Sequence, residues 1–172
     1  MNTENLIMKK IIIFGNSGSG KSILAKQYAE HLLLAHLDLD SLTWQDTASP
    51  QRRELVDTFK DLNKFLSLHD NWVIEGVYAD LISAIASNAT KMIFVNPGVD
   101  ICITNSKNRP WEPHKYESKQ AQDNNLQMLI DWIKQYPERN DEMSLSAHRK
   151  LFDAYLGEKI EYTSNQRESF DD

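Results

Sequence analysis

Residues 11–14, Ile-Ile-Ile-Phe, make a short unbroken apolar run that ends at Gly15, the pattern of a strand buried on both faces of a parallel sheet. From Lys21 onward, Ala25, Tyr28, Ala29 and Leu32 fall on one face of a helix, which predicts a return into a second strand through "LLLAHLDLD", ending near Asp38. Residues 46–50 are turn-like. After them Leu55, Phe59, Leu62 and Leu66 form a helical stripe, with Arg52, Arg53 and Glu54 expected in its first turns. "NWVIEG" predicts a third strand bounded by Gly76, "LISAIASNA" a short helix, and "KMIFVNP" a fourth strand stopped by Pro97. Past Asp100 the pattern turns helical: "DICITNSKN", then Leu126, Leu129, Ile130 and Ile133, then a helix near residues 145–155, before "KIEYTS" as a last strand.

Strands alternating with helices at this spacing imply right-handed crossovers and a sheet covered on both sides, so the class is α/β. At 172 residues the chain is long enough for one well-buried core and short for two, so residues 1–172 are expected to form one domain. Two prolines and mixed charge in "RPWEPHKYESK" interrupt any regular element, and residues 164–172 read as a polar tail. Met8 followed by "KKIIIFG" looks like a natural start, so residues 1–7 are expected to be an extension.

Charge and chemistry narrow the function. A net charge of −6 argues against a general nucleic-acid binder, so any anion site must be local. The single Cys102 cannot form an internal disulfide, and no Cys/His spacing of the zinc type occurs. A reducing cytoplasm is therefore expected. His31, His36, His69, His114 and His148 are scattered and read as ordinary surface or half-buried side chains. No apolar run approaches the roughly 20 residues a membrane helix needs.

The stretch "GNSGSGKS" fits G-x-x-x-x-G-K-[ST], the Walker A loop, between a hydrophobic strand and an amphipathic helix. A loop that wraps polyphosphate must aim several backbone N–H groups inward and pass close to the oxygens, which bulky side chains prevent. Gly15, Asn16, Ser17, Gly18, Ser19, Gly20, Lys21, Ser22 and Ile23 are thus the candidate nucleotide-binding residues. Lys21 reaches the β and γ phosphates and the Ser22 hydroxyl ligates Mg²⁺.

Such a loop serves a GTPase, a motor ATPase or a small-molecule kinase. An N-K-x-D base-reading signature is missing, since "NKFL" at Asn63 has no aspartate, and no hydrophobic strand ends in a D-E pair. What the chain has is "HLDLDSLTW". Asp38 and Asp40 are expected to leave the second strand on one side, toward the cleft at its carboxyl end, one to hold hydrated Mg²⁺ and the other to take a substrate proton. Solvated loop charges or a helix cap is the other reading.

With "GNSGSGKS", "LDLDSLTW" and "WVIEGVY", residues 9–105 resemble the small adenylate-kinase-like and shikimate-kinase-like P-loop kinases, nearest the branch labelled adenylate-kinase-related or DNA-topology-modulation protein. The resemblance implies a three-layer α/β/α P-loop NTPase fold with a five-stranded parallel sheet and a helical lid near residues 105–120. It implies Asp38 on the Mg²⁺ side and Asp40 on the acceptor hydroxyl. Glu75 and Gly76 take the place of an Asp-Gly pair beside the phosphates, and Arg53, next to Arg52, is placed where these kinases hold an acceptor's anionic group; a solvated helix start is the other reading of that pair. The lid departs from the arginine-rich pattern. Its cations are Lys107, Arg109, Lys115 and Lys119, of which Arg109 best suits a phosphoryl group spread over three oxygens. Arg149 is a second candidate, for a phosphate or the adenine face, and Trp111 for a water-excluding lid tip; surface salt bridges and a small packed loop are the alternatives.

The combined expectation is an ATP- and Mg²⁺-dependent phosphotransferase, with catalytic Lys21, Asp40 and Arg109, acting on a small metabolite or nucleotide as a cytoplasmic monomer or homodimer. The rival is a nucleotide-dependent regulatory module without metabolite kinase activity.

Overall fold

The computed structural model describes residues 7–46 and 51–167. The sheet is built from β1 (Lys10–Gly15), β2 (Ala35–Asp38), β3 (Trp72–Gly76), β4 (Lys91–Val95) and β5 (Glu158–Tyr162), all parallel, in the order β2-β3-β1-β4-β5. Helices α1 (Lys21–Leu32), α2 (Asp40–Thr43), α3 (Leu55–Leu68), α4 (Ala79–Ile85), α5 (Val99–Lys107), α6 (Lys119–Lys134) and α7 (Leu145–Ala154) connect them. The expected three-layer, five-stranded α/β/α architecture is observed.

Alternation along the central strands divides the core. Ile12, Phe14, Ile74, Met92 and Phe94 point to one face and meet Leu62 of α3, Leu81 and Ile82 of α4 and Leu151 of α7. Ile11, Ile13, Val73, Ile93 and Val95 point to the other and meet Leu24, Ala25 and Tyr28 of α1. Both faces of β1 are therefore dry, which explains why its sequence is continuously apolar rather than alternating. Phe14 and Phe94 stack with ring centroids 4.9 Å apart. Because β1 is central, the loop that follows it opens at the carboxyl edge of the sheet, where open α/β folds bind ligands.

Three local expectations change. The third helix starts at Leu55, so Arg52 and Arg53 precede it, and Arg52 instead forms an antiparallel bridge with Trp44. Asp40 is not on a strand, because β2 ends at Asp38 and the chain turns at buried Leu39 into the short helix α2. Of the lid expected near residues 105–120, residues 108–118 carry no regular element, and the rest belongs to the end of α5 and the start of α6. No helix among the described residues is long and apolar enough to cross a membrane. Residues 1–6 of the expected extension, 47–50 of the expected turn and 168–172 of the expected tail lie outside the described residues.

His148, expected at the surface or half-buried, is fully buried between the Tyr136 hydroxyl (2.7 Å from Nδ1) and the Val77 carbonyl oxygen (2.7 Å from Nε2). Burial pushes its pKa down to about 4, against an ordinary value near 6.5. The unfolded chain then binds a proton that the folded chain excludes, so this contribution is intact above about pH 6.5 and is lost as pH falls toward 4. Urea unfolding should show stability about 2 kcal/mol lower near pH 5 than near pH 8 from this group, at about 1.36 kcal/mol per unit. His148→Gln should flatten that part of the pH dependence.

Candidate nucleotide and acceptor site

The phosphate loop turns sharply between β1 and α1. Gly18 and Gly20 sit at φ +75° and +89°, in the left-handed region that a side chain disfavours. A Cβ on Gly18 would also run into the Cys102 carbonyl oxygen of α5, and one on Gly20 into the Arg167 guanidinium. Asn16 and Ser19 of the loop are buried, with the Asn16 side-chain amide donating to the Ile133 carbonyl oxygen at 3.3 Å. The Lys21 ammonium curls over the loop and donates to the Asn16 carbonyl oxygen at 3.3 Å.

This loop forms one wall of a cavity of about 790 Å³. Ser17, Gly18, Gly20, Lys21, Ser22 and Ile23 of the loop and the helix after it line the cavity together with Asp40, Glu75, and Arg109 and Lys115 of the 108–118 segment. Of the other expected residues, Gly15, Asn16, Ser19, Gly76 and Asp38 do not line it. Arg53 and Arg149 are not brought to it. Arg53 donates to the Leu42 carbonyl oxygen (2.9 Å) and pairs with Asp61 (2.8 Å). Arg149 grips both oxygens of Glu161 at 2.8 and 2.7 Å and lies over the Phe94 ring. Trp111 donates its indole N–H to the Tyr116 carbonyl oxygen, closing a small loop on itself.

The carboxylates are organised by the sheet. Asp38 and Glu75 are register partners on β2 and β3. Glu75 is 1% exposed, and burial alone would raise its pKa, but His36 (3.5 Å), the Lys21 charge and the donating Ser22 hydroxyl (3.0 Å) together hold it below the usual value. Asp38 goes the other way: burial first, then the charges of Glu75 and Asp40, push it up to about 6 despite the Asp40 N–H donated to its Oδ1 at 2.9 Å. A hydroxyl and a carboxylate at hydrogen-bond distance, next to a second carboxylate on the neighbouring strand, is a donor set suited to a hydrated Mg²⁺ shared with phosphates. Among the described residues no group of three or more His, Cys, Asp or Glu forms an all-protein metal cage.

Arg109 pairs with Glu112 at 3.2 Å, and Lys115 approaches the other oxygen of that carboxylate at 3.7 Å. One acid thus restrains the two cations that this segment contributes to the cavity lining.

The described part of the expected polar tail makes ordered contacts. After β5 the chain returns to the phosphate loop, where Arg167 donates to the Ser19 and Gly20 carbonyl oxygens, both at 3.0 Å. Asn105 of α5 donates to the Gly18 carbonyl oxygen at 2.9 Å and exchanges reciprocal amide bonds with Asn165 at 3.0 and 3.1 Å. Asn105, Asn165 and Arg167 all line the cavity, and no motif in the sequence marked them. Arg167 thus ties down the peptides of Ser19 and Gly20 at the turn of the loop. Arg167→Ala should weaken ATP binding about tenfold in calorimetry, since charged hydrogen bonds contribute about 1.5–3 kcal/mol each and part of that is recovered by water.

No family model matches the chain. Among curated proteins, it is 28% identical over 109 residues to an uncharacterized protein, YqaC, of Bacillus subtilis (strain 168), over 63% of this chain and 61% of that protein's length. Among solved structures, a gluconokinase from Sinorhizobium meliloti 1021 superposes with a TM-score of 0.50 at 13% identity, covering 92% of this chain and 84% of the other. TT1252 from Thermus thermophilus gives 0.50 at 13% identity, covering 92% and 91%. At such identities the likeness is one of fold alone: a three-layer α/β P-loop fold with a five-stranded parallel sheet.

Proposed function

We propose that the protein is a P-loop phosphotransferase that transfers the γ-phosphoryl group of ATP to a hydroxyl or phosphate oxygen of a small metabolite or nucleotide. The observation that carries this reading is the convergence on one cavity of the Walker loop, with Lys21 and Ser22, and of Asp40, Glu75 and Arg109 around it. The loop amides and Lys21 hold the phosphate tail. Ser22 and Asp38, with Glu75 in the outer shell, would hold Mg²⁺, which supplies charge neutralisation at the phosphate oxygens when bound. Asp40 orients the acceptor and takes its proton, and Arg109, released from Glu112 by a competing phosphoryl oxygen, stabilises the transferring group. The like-signed charge of Asp38, Asp40 and Glu75 favours a site completed by cations.

A coupled ADP-release screen over nucleoside monophosphates, shikimate-like acids, sugars and antibiotics tests this. Acceptor-dependent release supports the kinase. ATP binding without release for any acceptor, together with an ATP-dependent, salt-sensitive DNA shift, would favour the regulatory module instead.

A further inference from the structure

Asp40 does not stand alone at its end of the cavity. The hydroxyl of Tyr78, a residue only 2% exposed, donates to Asp40 Oδ1 at 2.5 Å, and the indole N–H of Trp44 donates to that same hydroxyl oxygen at 2.9 Å. The Tyr78 ring is itself held: the Arg52 guanidinium lies over it, 5.4 Å from the centroid, and grips both oxygens of Asp80 at 2.7 and 2.9 Å. The three members come from three places, Trp44 just after α2, Asp40 at the start of α2, and Tyr78 just before α4.

We propose that Tyr78 is a positioning residue for phosphoryl transfer, fixing the Asp40 carboxylate through Oδ1 so that Oδ2 meets the acceptor, with Trp44 orienting the Tyr78 hydroxyl. This rests on the kinase reading and adds a residue to it. Asp40 is an exposed residue whose carboxylate turns about two rotatable bonds, whereas one oxygen tied to a buried phenol leaves a single orientation. The direction of the hydrogen bond is set chemically: the indole N–H can only donate, so it occupies a lone pair of the phenol oxygen and leaves the O–H for the carboxylate. Phosphoryl transfer depends mostly on positioning, so a misdirected acceptor contact costs rate more than affinity. The Arg52–Asp80 pair keeps the ring in place without touching Asp40, which separates holding the ring from holding the carboxylate.

The test is Tyr78→Phe, which keeps the ring, its burial and the Arg52 contact while deleting the hydroxyl. With the best acceptor from the screen, kcat should fall about tenfold, with the KM for ATP and calorimetric ATP affinity unchanged. In the Asp40→Asn background the same substitution should add no further loss, because the group it positions has been disabled. Trp44→Phe, at a half-exposed position, should give a smaller fall in kcat of the same kind. The ¹³C carboxylate resonance of Asp40, assigned by its loss in Asp40→Asn, should move in Tyr78→Phe without any substrate present. An unmoved resonance, an unchanged kcat in Tyr78→Phe, or a loss that persists in full on top of Asp40→Asn would each overturn the positioning role. Absence of ADP release by the wild-type protein with every acceptor would overturn the kinase reading itself, and this role with it.

Discussion

Replacing Lys21 with alanine is expected to lower kcat/KM for ATP by roughly 10²–10³-fold, the loss typical of deleting one preorganised donor from a site where negative charge develops. The ammonium lies over the loop, 3.3 Å from the Asn16 carbonyl oxygen, so it needs only to swing from a neutral acceptor to a charged one. Its charge also helps keep the buried Glu75 ionised. Removing it therefore withdraws a phosphate contact and leaves Glu75 with less compensation, and both effects oppose binding of a triphosphate. Lys21→Arg should not rescue fully, since a planar fork does not fit where a compact ammonium sits against a tight loop. Isothermal calorimetry with Mg-ATP and steady-state kinetics would check this; affinity and turnover equal to wild type would remove Lys21 from the site.

Asp40→Asn should separate binding from transfer. Asparagine has the same shape and keeps one oxygen for the Tyr78 hydroxyl, so α2 should form as before and ATP affinity should stay within about twofold. Transfer should fall by about 10²-fold, the low end for a general base, because a loose phosphoryl-transfer transition state asks for little proton abstraction early on. Calorimetry for ATP beside acceptor-dependent ADP release distinguishes the two effects. An unchanged rate would remove the acceptor role from Asp40 and leave it as an acidic residue in the first turn of a short helix.

Much of this arrangement is legible in the amino-acid sequence itself. The Walker loop announces itself because its chemistry is local: "GNSGSGKS" contains both the loop and the start of the helix, and the backbone conformations it needs at Gly18 and Gly20 are encoded at those positions. The strands are equally legible, since burial on both faces leaves continuous apolar runs at residues 11–14 and 92–95. The arginines are harder to read. A cation next to a helix start has the same appearance in sequence whether it meets a substrate or, as with Arg53 and Asp61, a carboxylate of the following helix. The burial of His148 is hidden for a related reason, because its partners Tyr136 and Val77 lie 12 and 71 residues away.

The amino-acid sequence thus determined the order of strands and helices along the chain and the phosphate loop, because each depends on residues within one or two turns of each other. Tertiary structure decided the rest: Arg167 reaches loop carbonyls 147 and 148 residues away, Asn105 meets Asn165 across 60, and Tyr78 finds Asp40 across 38. Such contacts follow from which chain ends a parallel sheet gathers at its carboxyl edge. Hydrophobic periodicity places each strand and helix but carries no information about which polar groups from separate crossovers will meet there.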